Sequence, residues 1–205
     1  MTSQTDTYLT INEPSTGLFK EKGSKFLSFA YPVTNDKEIK DIVDSLKKEY
    51  FDARHHCYAY RLGTEKLIFR ANDDNEPSGT AGKPILGQIV ANDLTNVLVV
   101  VVRYFGGTLL GTAGLIHAYR NASADAISNA TMIEKYVFDV YQLTFSYPQM
   151  NYVMKIIKDY DLLSFDHSFE LTCTLKVKIR LSMADSMLLK LSPLNEIEAT
   201  LIGRD

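Results

Sequence analysis

Arg103 ends an unbroken aliphatic run, Val97 to Val102, and is followed by Gly106, Gly107, Gly111 and Gly114. A guanidinium beside a glycine-lined helix start suits an anion, because free backbone N–H groups and the helix dipole face the ligand that the arginine holds. An earlier segment has a similar plan. In DDNEPSGTAGKPILGQIV, from Asp73 to Val90, an acidic turn leads through glycines and Lys83 into an apolar helical run. Pro84 suits the first turn of that helix, where its missing N–H would be unpaired anyway. Phosphate is the natural ligand for Lys83, Arg103 and these glycines together. His117 and Arg120, about one turn apart on the helix that the second glycine segment begins, could reach nucleic-acid phosphates. The plain alternative is that the glycines serve tight strand-to-helix packing. Neither segment fits a nucleotide fingerprint. GTAGKP is too short between glycines and has Pro84 where a P-loop needs Ser or Thr, and GGTLLGTAG is not G-x-G-x-x-G.

Asp73, Asp74 and Glu76 could gather a divalent metal or supply a general base, with Ser78 as a nucleophile, which would point to hydrolysis of a phosphate ester or phosphodiester. Acidic residues between a strand and a Gly-rich turn more often form the turn and charge a helix N-terminus, and no G-x-S-x-G or H-E-x-x-H accompanies them. No cofactor is implied except a divalent metal under that hydrolytic reading. His55 and His56 precede a strand, so their side chains point to opposite faces and only one can line a site. Arg54, His56 and Tyr58 would share a face as a polar rim.

The elements that position these residues follow from pattern. With 205 residues, 45% of them hydrophobic, the chain can bury a sizeable core in one domain or two. The net charge of −3 gives no bulk case for nucleic acid or a membrane, so any basic face must be local. Cys57 and Cys173 lack metal-ligand spacing and read as small buried hydrophobes of a reducing compartment. No signal-like segment opens the sequence, which predicts a cytoplasmic protein, and no apolar run approaches the ~20 residues of a membrane span. After a polar arm, Ser24 to Val33 reads as a strand ending at Pro32. A helix capped by Asn35 and Glu38 follows, burying Ile39, Ile42, Val43 and Leu46. CYAYRL and KLIFRA form a hairpin turning at Gly63 and Thr64. The all-apolar Val97–Val102 run predicts a central strand covered on both faces. In the next helix Leu115, Ile116, Tyr119, Ala122, Ala126 and Ile127 share a face.

From Tyr136 the order is β-α-β-β-α-β, a ferredoxin-like arrangement. In LTCTLKVKIRL, Leu171, Cys173, Leu175, Val177, Ile179 and Leu181 share one face, and Thr172, Thr174, Lys176, Lys178 and Arg180 the other. The open face would carry a basic stripe able to touch RNA backbone, or be an ordinary solvated face, since no aromatic pair interleaves it for base stacking.

DDNEPSGTAGKPIL followed by VVRYFGGTLLGTAGLIHAY resembles the signature of the Impact/YigZ family. GSKFLS, HHCYAYR and the tail from Tyr136 extend the resemblance over nearly the whole chain. It implies an α+β protein of two domains: residues 1–135, with the fold shared by the second domain of a small-subunit ribosomal protein, RNase PH and the GHMP kinases, and residues 136–205, similar to the fifth domain of elongation factor G. The resemblance also implies eukaryotic relatives that regulate translation and carry a different N-terminal partner-binding domain, which is not expected in this protein. The chain departs from the family pattern at Asn75 and Ala113, where glycine is common, and at His117, where arginine is common.

The preferred functional reading is a non-enzymatic nucleic-acid-binding or ribosome-associated protein that influences translation. Its partners would be RNA or the ribosome. The alternatives are a metal-dependent enzyme acting on RNA or a phosphorylated small molecule, and a protein-interaction module whose glycines are purely structural.

Overall fold

The computed structural model describes residues 6–192 and 196–204. The chain divides into two compact units, Leu9–Glu134 and a second that joins residues 6–8 to 135–204. In chain order the first part holds β1 (Thr7–Ile11), β2 (Ser15–Glu21), β3 (Ser24–Pro32), α1 (Asp36–Glu49), β4 (His55–Leu62), β5 (Ile68–Asn72), α2 (Gly82–Ala91), β6 (Val97–Tyr104), α3 (Gly111–Ser128) and β7 (Met132–Tyr136). β1 and β7 pair with each other, and the remaining strands form one sheet in the order β2-β3-β6-β4-β5.

β6 is the middle strand, antiparallel to both neighbours. Its side chains alternate between two cores. Val97, Val99 and Val101 meet Ile85 and Ile89 of α2 and Leu115, Tyr119 and Ala122 of α3. Leu98 and Val100 meet Ile39, Val43 and Leu46 of α1 on the other side. An aliphatic side chain buried this fully contributes about 1.5–3 kcal/mol, so the run earns its central place. Helices on both faces, rather than parallel neighbours, explain why no position in it is polar.

α1 starts as the sequence predicts. Asn35 Oδ1 accepts from the Glu38 amide at 3.0 Å, and the Glu38 carboxylate accepts from the Thr34 amide at 2.7 Å, one residue before the usual capping-box donor. The hairpin of β4 and β5 also forms, with a longer connection, residues 63–67, than the expected two-residue turn. The polar arm is a correction: β1 and β2 lie within it. β2 is an edge strand whose residues are only half-buried or exposed, so its sequence carries little apolar signal.

The second unit runs β8 (Phe138–Ser146), a short 3₁₀ turn, α4 (Met150–Asp159), β9 (Leu163–Phe169), β10 (Thr172–Arg180), α5 (Leu181–Leu191) and β11 (Ile197–Arg204). The sheet order is β11-β8-β10-β9. Cys173, Leu175, Val177 and Ile179 pack with Val153 and Ile156 of α4 and Met187 and Leu191 of α5. The predicted alternation of β10 therefore holds within the strand but not at its ends. Leu171 is 95% exposed before the strand begins, and Leu181 opens α5. Both cysteines are free and buried.

Candidate functional site

Three antiparallel strands place Phe26, Arg103 and His55 in one row, because Arg103 is the direct partner of both across the sheet. Cross-strand partners share a face, and Arg103 continues the row of Val97, Val99 and Val101 that faces α2 and α3. Its guanidinium lies 5.4 Å from the centroid of the Phe26 ring and 5.7 Å from that of Phe105. Arg103 is 6% exposed. A charge so buried needs a counter-charge, and Glu76 provides it at 2.6 Å from Nη1.

Glu76 reaches inward because the turn before it is tightly specified. Asn72 Oδ1 accepts from the Asp74 amide at 2.8 Å. Asp74 and Asn75 then take left-handed backbone angles, φ +40° and +68°, which asparagine and aspartate tolerate better than other residues bearing a side chain. Glu76 Oε1 also accepts from the Tyr119 hydroxyl at 2.8 Å. Burial, with Cys57 and Glu76 nearby, pushes the Tyr119 hydroxyl far above its ordinary pKa, so it remains a donor. Burial also pushes the Cys57 thiol up, which leaves it protonated and unsuited to nucleophilic attack.

The acidic cluster is divided among three tasks. Asp73 accepts from the amides of Gly79, Ala81 and Gly82 at 2.8–3.0 Å and so caps α2. Burial raises its pKa, but these three donors outweigh that and hold the carboxyl below its ordinary range. Asp74 accepts from the His56 amide at 2.7 Å and pairs with Lys47 of α1 at 3.3 Å. Glu76 serves Arg103 and Tyr119. Among the described residues, no three His, Cys, Asp or Glu side chains are grouped to hold a metal. Ser78 is exposed, and no base among the described residues hydrogen-bonds to it. The glycine-rich start of α2 thus has its amides occupied by Asp73.

The start of α3 differs. Leu110 provides no side-chain cap, and Gly111 has φ +69° with open space around its Cα. Gly111 and Thr112 line a cavity of about 440 Å³ together with Arg54, His55, Glu76, Arg103 and the apolar Phe105, Leu109, Leu110 and Leu115. His55 Nδ1 lies 2.9 Å from the Asp74 carbonyl, which can only accept, so Nδ1 carries the proton. Nε2 then faces Glu76 Oε1 at 3.9 Å. His56 is buried on the opposite face, and its Nε2 has no hydrogen-bond partner. The lining histidine is therefore His55, with Arg54 beside it, rather than the expected rim of Arg54, His56 and Tyr58.

The other predicted contact residues separate. Gly106 is a packing glycine: a Cβ there would stand 1.9 Å from the Gly23 carbonyl carbon. Gly107 is open with φ +86°, whereas a Cβ on Gly114 would come 3.0 Å from Leu110 Cβ. Lys83 and Arg120 meet on a shallow groove of about 530 Å³ between α2 and α3, and neither has an ion-pair partner among the described residues. His117 is exposed, 3.9 Å from Glu21. On β10, Lys176 pairs with Asp166 at 2.7 Å. Arg180 pairs with Asp6 at 2.6 Å and lies 3.6 Å from the centroid of the Tyr136 ring. Two of the three stripe cations are thus held by carboxylates.

Residues 22–127 match the model of the Impact N-terminal domain. The chain belongs to the Impact family. It is 36% identical over 152 residues to the Impact family member YigZ of Escherichia coli, covering 72% of this chain and 74% of that protein. It is 35% identical over 128 residues to YvyE of Bacillus subtilis, covering 62% of this chain and 59% of that protein. A crystal structure described as that of a hypothetical protein matches with a TM-score of 0.77 and 28% identity, over 98% of this chain and 99% of that one. The cavity and the Lys83–Arg120 groove fall wholly inside the Impact region, and the β10 stripe falls outside it. Sequence reading missed Phe105, Leu109 and Leu110 as cavity wall and Tyr119 as the second donor to Glu76. Phe105, an aromatic between the β6 run and the glycines, was the available signal for the wall. Nothing in the pattern distinguished Tyr119 from the other core residues of its helix.

Proposed function

We infer that this protein is a regulator of translation that works by binding RNA phosphates, free or on the ribosome, rather than by catalysis. The carrying observation is the pairing of Lys83 and Arg120. Of the cations singled out in the sequence, Arg103, Lys176 and Arg180 are neutralised by carboxylates. Lys83 and Arg120 are exposed, have no such partner among the described residues, and share one groove. Membership of the Impact family, whose eukaryotic branch is implied to act on translation, supports the same reading. The strand order of the second unit supports a ferredoxin-like domain, and the first is read as the ribosomal-protein-like fold. Among the described residues no helix is long and apolar enough to cross a membrane.

The test is binding to total RNA and to purified ribosomes across a salt series, with the wild type and with Lys83→Glu plus Arg120→Glu. Retention that weakens steeply with salt and is lost in the double variant supports the reading. No retention of the wild type at low ionic strength overturns it.

A further inference from the structure

The cavity beside Arg103 is distinct from the Lys83–Arg120 groove, and RNA binding along that groove leaves it unused. Its polar end holds three groups able to donate to an anion, beside the Glu76 carboxylate that neutralises the charge of Arg103. The first is Arg103. Glu76 takes only Nη1, and among the described residues no other group hydrogen-bonds the guanidinium, whose buried Nε is left without a partner. A buried polar atom without a partner is uncommon and costly. The second is the first turn of α3, whose amides have no side-chain cap and whose residues Gly111 and Thr112 face the cavity. An eighteen-residue helix has a fully developed dipole, and that turn is its positive end. The third is Arg54 at the rim, exposed and without a partner among the described residues. The opposite wall is apolar. Phe105 is 42% and Leu109 83% exposed, both with area to cover.

We propose that this cavity binds a terminal phosphate monoester carried on a flat or apolar body the size of a nucleoside. The doubly charged phosphate is met by the unused edge of Arg103, by Arg54 and by the α3 amides, and the body covers Phe105 and Leu109. The volume of about 440 Å³ lies within the range of small-molecule sites. The same chemistry is offered by a free mononucleotide and by the 5′-phosphorylated end of an RNA.

The experiment is calorimetric titration of the whole protein with AMP, adenosine, inorganic phosphate and a short RNA bearing either a 5′-phosphate or a 5′-hydroxyl. AMP is expected to bind at least tenfold more tightly than adenosine or inorganic phosphate. A preference for the 5′-phosphorylated RNA over both AMP and the 5′-hydroxyl RNA identifies the RNA end as the source. Arg103 is too deeply paired to serve as the test variant, so Thr112→Asp is used. A carboxylate in the first turn favours the helix but occupies the anion position. It is expected to raise thermal stability slightly and to lower AMP affinity at least tenfold, with Phe105→Ala weakening AMP but not inorganic phosphate. The proposal is overturned if neither AMP nor the 5′-phosphorylated RNA is preferred to its unphosphorylated form, or if Thr112→Asp binds AMP as the wild type does. Salt-sensitive RNA retention that persists in Thr112→Asp but is lost in Lys83→Glu plus Arg120→Glu separates this site from the groove.

Discussion

At the scale of single residues, Arg103 and Glu76 show why an arginine beside glycines need not be a free anion site. Their ion pair is buried on both sides, and removing either partner strands the other charge away from water. Arg103→Ala is expected to cost about 3–5 kcal/mol in urea unfolding, so lost ligand binding in that variant has to be read against its fold. Asp73→Ala removes the acceptor of three amides at and just before the start of α2 and should cost about 1–2 kcal/mol, typical of a lost helix cap. Two groups weaken the fold as pH falls, each in its own range. Burial lowers the pKa of His56 from 6.5, against the pull of Asp74. As pH falls through 6.5 the unfolded chain takes up a proton that the folded protein resists, so the His56 contribution shrinks until pH reaches the lower folded value. Asp73, held below 3.8, contributes fully above that pH and loses its share only as pH falls through its folded pKa. Unfolding free energy measured from pH 7.5 to 3 should decline first as pH falls through 6.5, and His56→Gln should remove that first decline.

At the scale of elements, the glycines divide by what surrounds them. Gly106 approaches the backbone between β2 and β3 so closely that a Cβ would sit 1.9 Å from Gly23, whereas Gly107 has open space around it. Gly106→Ala is therefore expected to cost at least the ~1–3 kcal/mol of overpacking. Gly107→Ala should cost only the ~1–2 kcal/mol of left-handed backbone, and thermal unfolding of the two variants distinguishes them. The contrast marks the limit of what the sequence tells. Strand β6, helix α1 with its Asn35 cap and the alternation of β10 were legible because apolar periodicity is a direct image of burial. β2 was not, because an edge strand buries too little to leave that image. The division of Asp73, Asp74 and Glu76 among helix cap, lysine partner and arginine partner was not legible either. It depends on the left-handed turn at Asp74 and Asn75, which sends neighbouring carboxylates in different directions. The same limit explains the basic stripe: alternation placed Lys176 and Arg180 on one face, but Asp166 and Asp6, their partners, come from other segments.

At the scale of the molecule, a net charge of −3 means that any attraction for RNA is local and short-ranged. Long-range steering then contributes little, and the salt dependence counts the phosphates actually touched. On single-stranded RNA each contact adds about 0.7 to the slope of log affinity against log salt concentration. If Lys83 and Arg120 each hold one phosphate, replacing both with neutral Gln should lower the slope by about 1.4. Lys176→Gln should change it much less, because Asp166 already neutralises Lys176 and an exchange of partners gains little. Fluorescence anisotropy of a labelled single-stranded RNA between 25 and 200 mM salt measures both slopes. A reduction confined to the double variant places the contact on the groove between α2 and α3, within the region that the chain shares with the rest of the Impact family. An equal reduction from Lys176→Gln would move the contact to the β10 face and leave the groove without a role in binding.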